Sequence, residues 1–250
     1  MAVRIYLTGR ICIEADGSLI DERMLPARQG RRAFAYLACA RARPVPREEL
    51  ADAVWGDAPP DGWDAALSAL VSKLRTTLAR SVGGIEIATV SGAHELRLPH
   101  DGWLDIEAAA IAIDEAEGAA RAADRARAWG SASVACAIAA RPFLASDSAP
   151  WIERQRTALR DIHVRAIELL ADLNLADGRA PLAIQFAARC IDLEPYRETA
   201  YQRLMRAHAL AGNRAEALRA YERCRRLLAE ELGADPSPET ERIYLELLRE

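Results

Sequence analysis

A mainly α fold with a small β part, divided into two domains, is predicted by three observations. The chain opens on alternating apolar residues, with Val3, Ile5 and Leu7 set against Arg4 and Tyr6, and Ile11 and Ile13 after Gly9. Three stretches of helical period and a hairpin signal complete the first 100 residues. From Trp103 onward the sequence is Ala-, Leu- and Arg-rich, helical throughout, and repeats itself.

Taken in order, residues 1–27 are read as a short antiparallel sheet, with Asp16-Gly17 as its turn. The first helix, 28–41, carries Phe34, Leu37 and Ala38 on one face. Pro44 and Pro46 end it and start the second, which runs to Val54 with Leu50 on its apolar ridge. Trp55 is expected to plug the core, and the Asp57–Pro60 segment forms a rigid loop. Asp61 is suited to cap the third helix, 62–80, in which Leu67, Leu70, Val71, Leu74 and Leu78 form a buried stripe. Gly83-Gly84 breaks that helix. Residues 85–90 and 94–98 then flank Ser91-Gly92 as a β-hairpin. Sheet, three helices and hairpin in this order are the layout of a winged helix-turn-helix, assigned here to residues 1–100.

Residues 101–250 form the second domain. The segment from Leu175 through Phe186 aligns with that from Leu210 through Tyr221 at a period of 35. Small residues at the turn, followed by an aromatic, are similar to tetratricopeptide repeats, in which each helix pair leaves an apolar face for its neighbour to cover.

Composition narrows the function classes. Hydrophobic residues make up 51% of the chain, enough for a substantial core. The net charge is −4, but residues 1–100 hold 13 basic and 12 acidic residues against 20 and 25 in the remainder, so a nucleic-acid surface is a local patch of the first domain. The five cysteines (Cys12, Cys39, Cys136, Cys190 and Cys224) are scattered, no C-x-x-C pair exists and the four histidines are dispersed, so no metal site is expected. No phosphate-binding loop or nucleophile–base pairing is visible, so neither an enzyme nor a cofactor is expected. The N-terminus lacks a signal-peptide pattern and no run is long and apolar enough to span a membrane, which predicts a cytoplasmic protein.

These motifs resemble a known family. The run Arg43-Pro-Val-Pro-Arg-Glu-Glu-Leu50, then Val54-Trp-Gly-Asp-Ala-Pro-Pro60 and Val71-Ser-Lys-Leu-Arg75, is similar to the DNA-binding part of Streptomyces antibiotic regulatory proteins. Pro150-Trp-Ile-Glu-Arg-Gln-Arg156, Glu194-Pro-Tyr-Arg-Glu198 and the segment from Ala217 to Glu239 resemble the bacterial transcriptional activator domain of the same family. The resemblance covers essentially the whole chain. It implies a regulator that binds double-stranded DNA, meets RNA polymerase through the loop before the third helix, and works as a dimer on repeated sites. Neither the ATPase module of larger members nor a phosphopeptide-binding module after residue 250 is expected.

Under this reading the third helix enters the major groove with Ala65, Ser68, Ala69, Ser72, Lys73 and Thr76 at base edges or groove walls, where short side chains allow close approach. Arg75 and Arg80, with Arg28, Arg31 and Arg32 of the first helix, meet phosphates, which positions the protein without specifying sequence. Ser91, His94 and Arg97 of the wing reach the adjacent backbone or minor groove, with His94 at the surface. Asp57 and Asp61 are the polymerase-contact candidates. The repeat domain offers a groove for a protein partner or a small effector. The alternative reading is a protein-interaction adaptor whose winged helix has lost DNA readout, motivated by the alanine-rich face of the third helix.

Overall fold

The computed structural model describes residues 3–15, 17–81 and 84–249, in two units: 1–109 with 138–159, and 110–137 with 160–250. Asp16 and Gly83, named above as turn and break signals, lie outside the described residues.

In the first unit β1 (Val3–Tyr6), β2 (Cys12–Ala15) and β3 (Ser18–Asp21) form an antiparallel meander, with Ile5 opposite Ile13 and Ile13 opposite Ile20. The period-2 pattern sends Val3, Ile5 and Ile13 into the core. One strand was not foreseen. β6 (Trp103–Leu104) adds to the sheet parallel to β1, so the chain is not helical from 103 onward. Behind it Asp105, fully buried, accepts hydrogen bonds from the Leu7 and Thr8 amides and the Thr8 hydroxyl at 2.7–3.0 Å, so the carboxylate is satisfied without a cation.

Three helices follow and pack on one another, with the third against β3: α1 (Ala27–Cys39), α2 (Arg47–Trp55) and α3 (Trp63–Ser81). Phe34, Leu37, Leu50, Leu67, Leu74 and Leu78 are fully buried. Helix α3 starts behind Gly62, whose φ of +71° needs glycine; Asp61 lies one residue outside the capping position. Strands β4 (Glu86–Val90) and β5 (Ala93–Arg97) form the wing. Its two-residue loop, Ser91-Gly92, has φ of +50° and +83°, the hand that matches strand twist.

The segment 138–159 belongs to this unit. Phe143, Leu144, Trp151 and Ile152 are buried, and Thr8 bridges to Phe143. Helix α2 ends with carbonyls that no helical amide can reach. The Ala53 carbonyl accepts from the Trp151 indole at 3.0 Å, and that of Val54 from Arg32 at 3.0 Å.

The second unit comprises the rest of α4 (Asp105–Arg121), α5 (Arg125–Ala139) and α6 (Pro150–Ala176), with α7 (Ala180–Leu193), α8 (Glu198–Leu210), α9 (Arg214–Leu232) and α10 (Pro238–Arg249). Ion pairs join the alternate helices: Arg165 to Asp114 and Glu117, then Arg203 to Glu168 and Asp172. The repeat is real, but its phase corrects the sequence alignment. Gly178 and Gly212 take the same left-handed turn (φ +72° and +73°), and α7 and α9 start at Ala180 and Arg214, so the structural period is 34, not 35. At that phase buried Ala183 matches Ala217 and buried Cys190 matches Cys224. Leucines are frequent enough that Leu175 aligned with Leu210 one residue out of step. The Asp235–Pro238 turn is tied down by Glu198, which accepts from the Ser237 amide and the Thr240 hydroxyl.

His163 gives this unit a pH dependence. It is buried, with Nε2 unpaired among the described residues; burial, then the nearby Arg189 charge, pushes its pKa down to about 4. The unfolded chain therefore takes up this proton near pH 6.5 while the folded one refuses it. Stability from this group is complete above about pH 6.5 and is lost on acidification toward pH 4, by ~3 kcal/mol. Urea unfolding at both pH values, compared between the wild type and His163→Leu, is expected to show the difference; parallel pH profiles would contradict it.

Candidate nucleic-acid interface

Helix α3 carries the core stripe on one side and a small, polar face on the other. Leu67, Leu70, Val71, Leu74 and Leu78 are buried; Ala65, Ser68, Ala69, Ser72, Lys73, Thr76 and Arg80 are exposed. Ala65, Ala69, Ser72 and Thr76 follow i, i+4, i+7, i+11, one continuous strip, flanked by Ser68, Lys73 and Arg80. Thr76 returns its hydroxyl to the Ser72 carbonyl at 3.0 Å, which leaves its methyl outward. Lys73 and Arg80 have no ion pair among the described residues, and both are exposed.

Other predicted contacts are already engaged within the fold. Arg75 donates to the Ile87 carbonyl and the Thr89 hydroxyl, each at 2.7 Å, so its guanidinium ties the wing to α3 while the residue stays exposed. Arg32 is withdrawn from the surface, its side chain 11% exposed, because it serves buried Asp147 (2.7 Å) as well as the Val54 and Ser148 carbonyls. Arg28 shares Asp147 at 2.5 Å but keeps an exposed side chain, and Arg31 is half-buried. Burial works to raise the Asp147 pKa, but hydrogen bonds from Arg28 and Arg32 outweigh it and hold the carboxyl below its ordinary value. Arg97 is exposed and pairs with Glu95 at 3.0 Å.

His94 is not at the surface. It is 3% exposed, its backbone bridges Val45 in both directions, and burial together with the Arg47 and Arg75 charges lowers its pKa, so the ring is neutral near pH 7. The wing therefore presents Ser91 and Arg97 but not His94. Trp55 is half-buried instead of plugging the core. It lines a cleft of about 490 Å³ with Pro26, Pro60, Ala66, Ala69 and Lys73, which brings the first turn of α1 beside the exposed strip. Asp57 and Asp61 are exposed on the loop between α2 and α3.

One residue at this face escaped the sequence reading. Arg47, at the start of α2, hydrogen-bonds Asp64 and Ser68 on α3. Its only signal was its position after Pro46, because the contact spans 17 and 21 residues.

The wing anchor is testable. Arg75→Met removes both bonds and is expected to cost about 1 kcal/mol and speed hydrogen exchange at the β4–β5 amides. Unchanged protection would leave Arg75 free to act elsewhere.

Comparisons with known proteins agree with this layout. The bacterial transcriptional activator domain matches residues 104–248, and the C-terminal domain of transcriptional regulatory proteins matches residues 24–93. Regulatory protein AfsR of Streptomyces griseus is 33% identical over 88% of this chain and 22% of its own length. Transcriptional regulatory protein EmbR of Mycobacterium tuberculosis is 30% identical over 88% of this chain and 57% of its own. The solved structure of EmbR in complex with a low-affinity phosphopeptide superposes with a TM-score of 0.87 at 28% identity, covering 99% of this chain and 65% of that one. The chain thus spans about a fifth of AfsR and under two thirds of EmbR. Among the described residues no helix is long and apolar enough to cross a membrane.

Proposed function

The chain belongs to the Streptomyces antibiotic regulatory protein type of transcriptional regulator, with its bacterial transcriptional activator domain, and from that premise we propose that it is a sequence-specific activator that reads promoter repeats through α3 and the wing. The observation that carries the proposal is the strip from Ala65 to Arg80: exposed, small-chained, with cations at Lys73 and Arg80, and backed by an unbroken apolar stripe. Such a face can approach base edges closely, and its alanine and threonine methyls suit thymine methyls.

The division of labour follows. Residues 1–100 take the duplex, and residues 101–250 take protein partners, with 138–159 packed into the first unit as its support. Asp57 and Asp61 lie where RNA polymerase would be met, and a dimer would place two copies of α3 on successive repeats about one helical turn apart. Anisotropy titration of a duplex from the chain's own upstream region, repeated across salt concentrations, tests the reading. The logarithm of affinity is expected to fall linearly with the logarithm of salt, by about 0.9 per phosphate contact. No retention at low salt would end it.

A second reading, an adaptor without DNA readout, is favoured by the internal engagement of Arg32 and Arg75. It predicts that residues 103–250 capture a regulator or polymerase subunit while the whole chain leaves no footprint on DNA.

A further inference from the structure

The first turn of α3 contains an electrostatic conflict. Asp64 lies there, where a carboxylate suits the positive end of the helix. Its side chain is 66% exposed, one turn before Ser68 on the helix assigned to DNA. An uncompensated negative charge at that place opposes the phosphate backbone.

Arg47 answers the conflict. Its Nε donates to Asp64 Oδ1 at 2.8 Å, and one terminal nitrogen donates to the Asp64 carbonyl and to Ser68 Oγ, each at 2.9 Å. Its other terminal nitrogen lies 3.5 Å from His94 Nε2. Ser68 in turn donates to the Asp64 carbonyl at 2.9 Å. One guanidinium, only 25% exposed, thus joins the start of α2, the first two turns of α3 and the wing strand β5.

We propose that Arg47 is a positioning residue for DNA binding, which neutralises Asp64 at the head of the reading face. It acts through Asp64, not through a contact of its own with the duplex. The inference rests on the reading of α3 as the DNA-facing helix, and it explains how an acidic residue is tolerated there.

The test is a double-mutant cycle in the whole 250-residue chain, using a duplex enriched from a random-sequence library by the wild type. Arg47→Met is expected to weaken binding on the order of ten-fold, because Asp64 is then unopposed. Asp64→Asn alone should stay within about three-fold of wild type, and Arg47→Met combined with Asp64→Asn should return to that range. Thermal melting of each variant separates binding from folding; should Arg47→Met melt below the assay temperature, Arg47→Gln, which keeps a donor for Ser68, replaces it. A double variant as weak as Arg47→Met would overturn the proposal in favour of a direct Arg47–DNA contact, and an unaffected Arg47→Met would overturn it outright. If the wild type enriches no duplex, the DNA-binding reading fails and this inference falls with it; if the wild type binds and the cycle shows no coupling, only this inference falls.

Discussion

Replacing Trp151 with alanine is expected to destabilise the winged-helix unit by about 3–5 kcal/mol, although Trp151 lies far beyond its last strand in sequence. The side chain is 8% exposed. Its ring stands edge-on to Tyr36 at 5.1 Å and to Phe143 at 6.0 Å, the arrangement that aromatic quadrupoles favour. Its indole N–H satisfies the Ala53 carbonyl at the end of α2. Truncation therefore opens a cavity and orphans a buried acceptor together, and each carries its own cost. Trp151→Phe keeps most of the packing and loses the hydrogen bond, so it should cost about 1 kcal/mol. Chemical denaturation followed by near-ultraviolet signals resolves both. A loss below 1 kcal/mol for the alanine variant would mean that 138–159 is not integral to the unit. By the same argument a fragment ending at residue 100 should be poorly folded, since it lacks β6, Asp105, Asp147 and Trp151.

The second large effect concerns binding. Ser72→Glu places a carboxylate in the centre of the exposed strip of α3, between Ala69 and Thr76, at a position that is itself exposed. Repulsion from the backbone and the loss of close approach in the groove are expected to weaken duplex binding by about 100-fold, or ~2.7 kcal/mol. The melting temperature should move little, because exposed substitutions away from caps and cores stay within about 0.5 kcal/mol. Equal affinity in variant and wild type would remove α3 from the interface.

Much of this could be read from sequence because the two periods are local. Val3, Ile5 and Ile13 announced the sheet, and Leu67 through Leu78 fixed which side of α3 is buried and hence which side is free. Ser91-Gly92 announced the wing turn. What could not be read depends on contacts distant in the chain. The pairing of Ile5 with Leu104 and the capture of Arg28 and Arg32 by Asp147 leave no periodic trace. His94 is a different case, since the signal was present: it shares a strand face with Leu96, and alternation alone places it inward. The repeat phase was blurred by composition, for a chain rich in Ala and Leu aligns with itself at neighbouring offsets. The left-handed glycines, set by backbone geometry, fix it.

These corrections make the proposed interface smaller than the sequence alone implied. With Arg32 drawn into the fold and His94 buried, the α3 strip, the wing tip, Arg28, Arg31, Arg75 and Arg97 remain, with Arg47 and Asp64 in register at its head. Sequence readout by this strip is checked by enriching duplexes from a random library with the whole 250-residue chain, in parallel with its Ser72→Glu variant. One motif is expected for the wild type, repeated at a spacing of about one helical turn, and no enrichment for the variant. A wild type that enriches no motif, or a variant that recovers the same one, would contradict that readout.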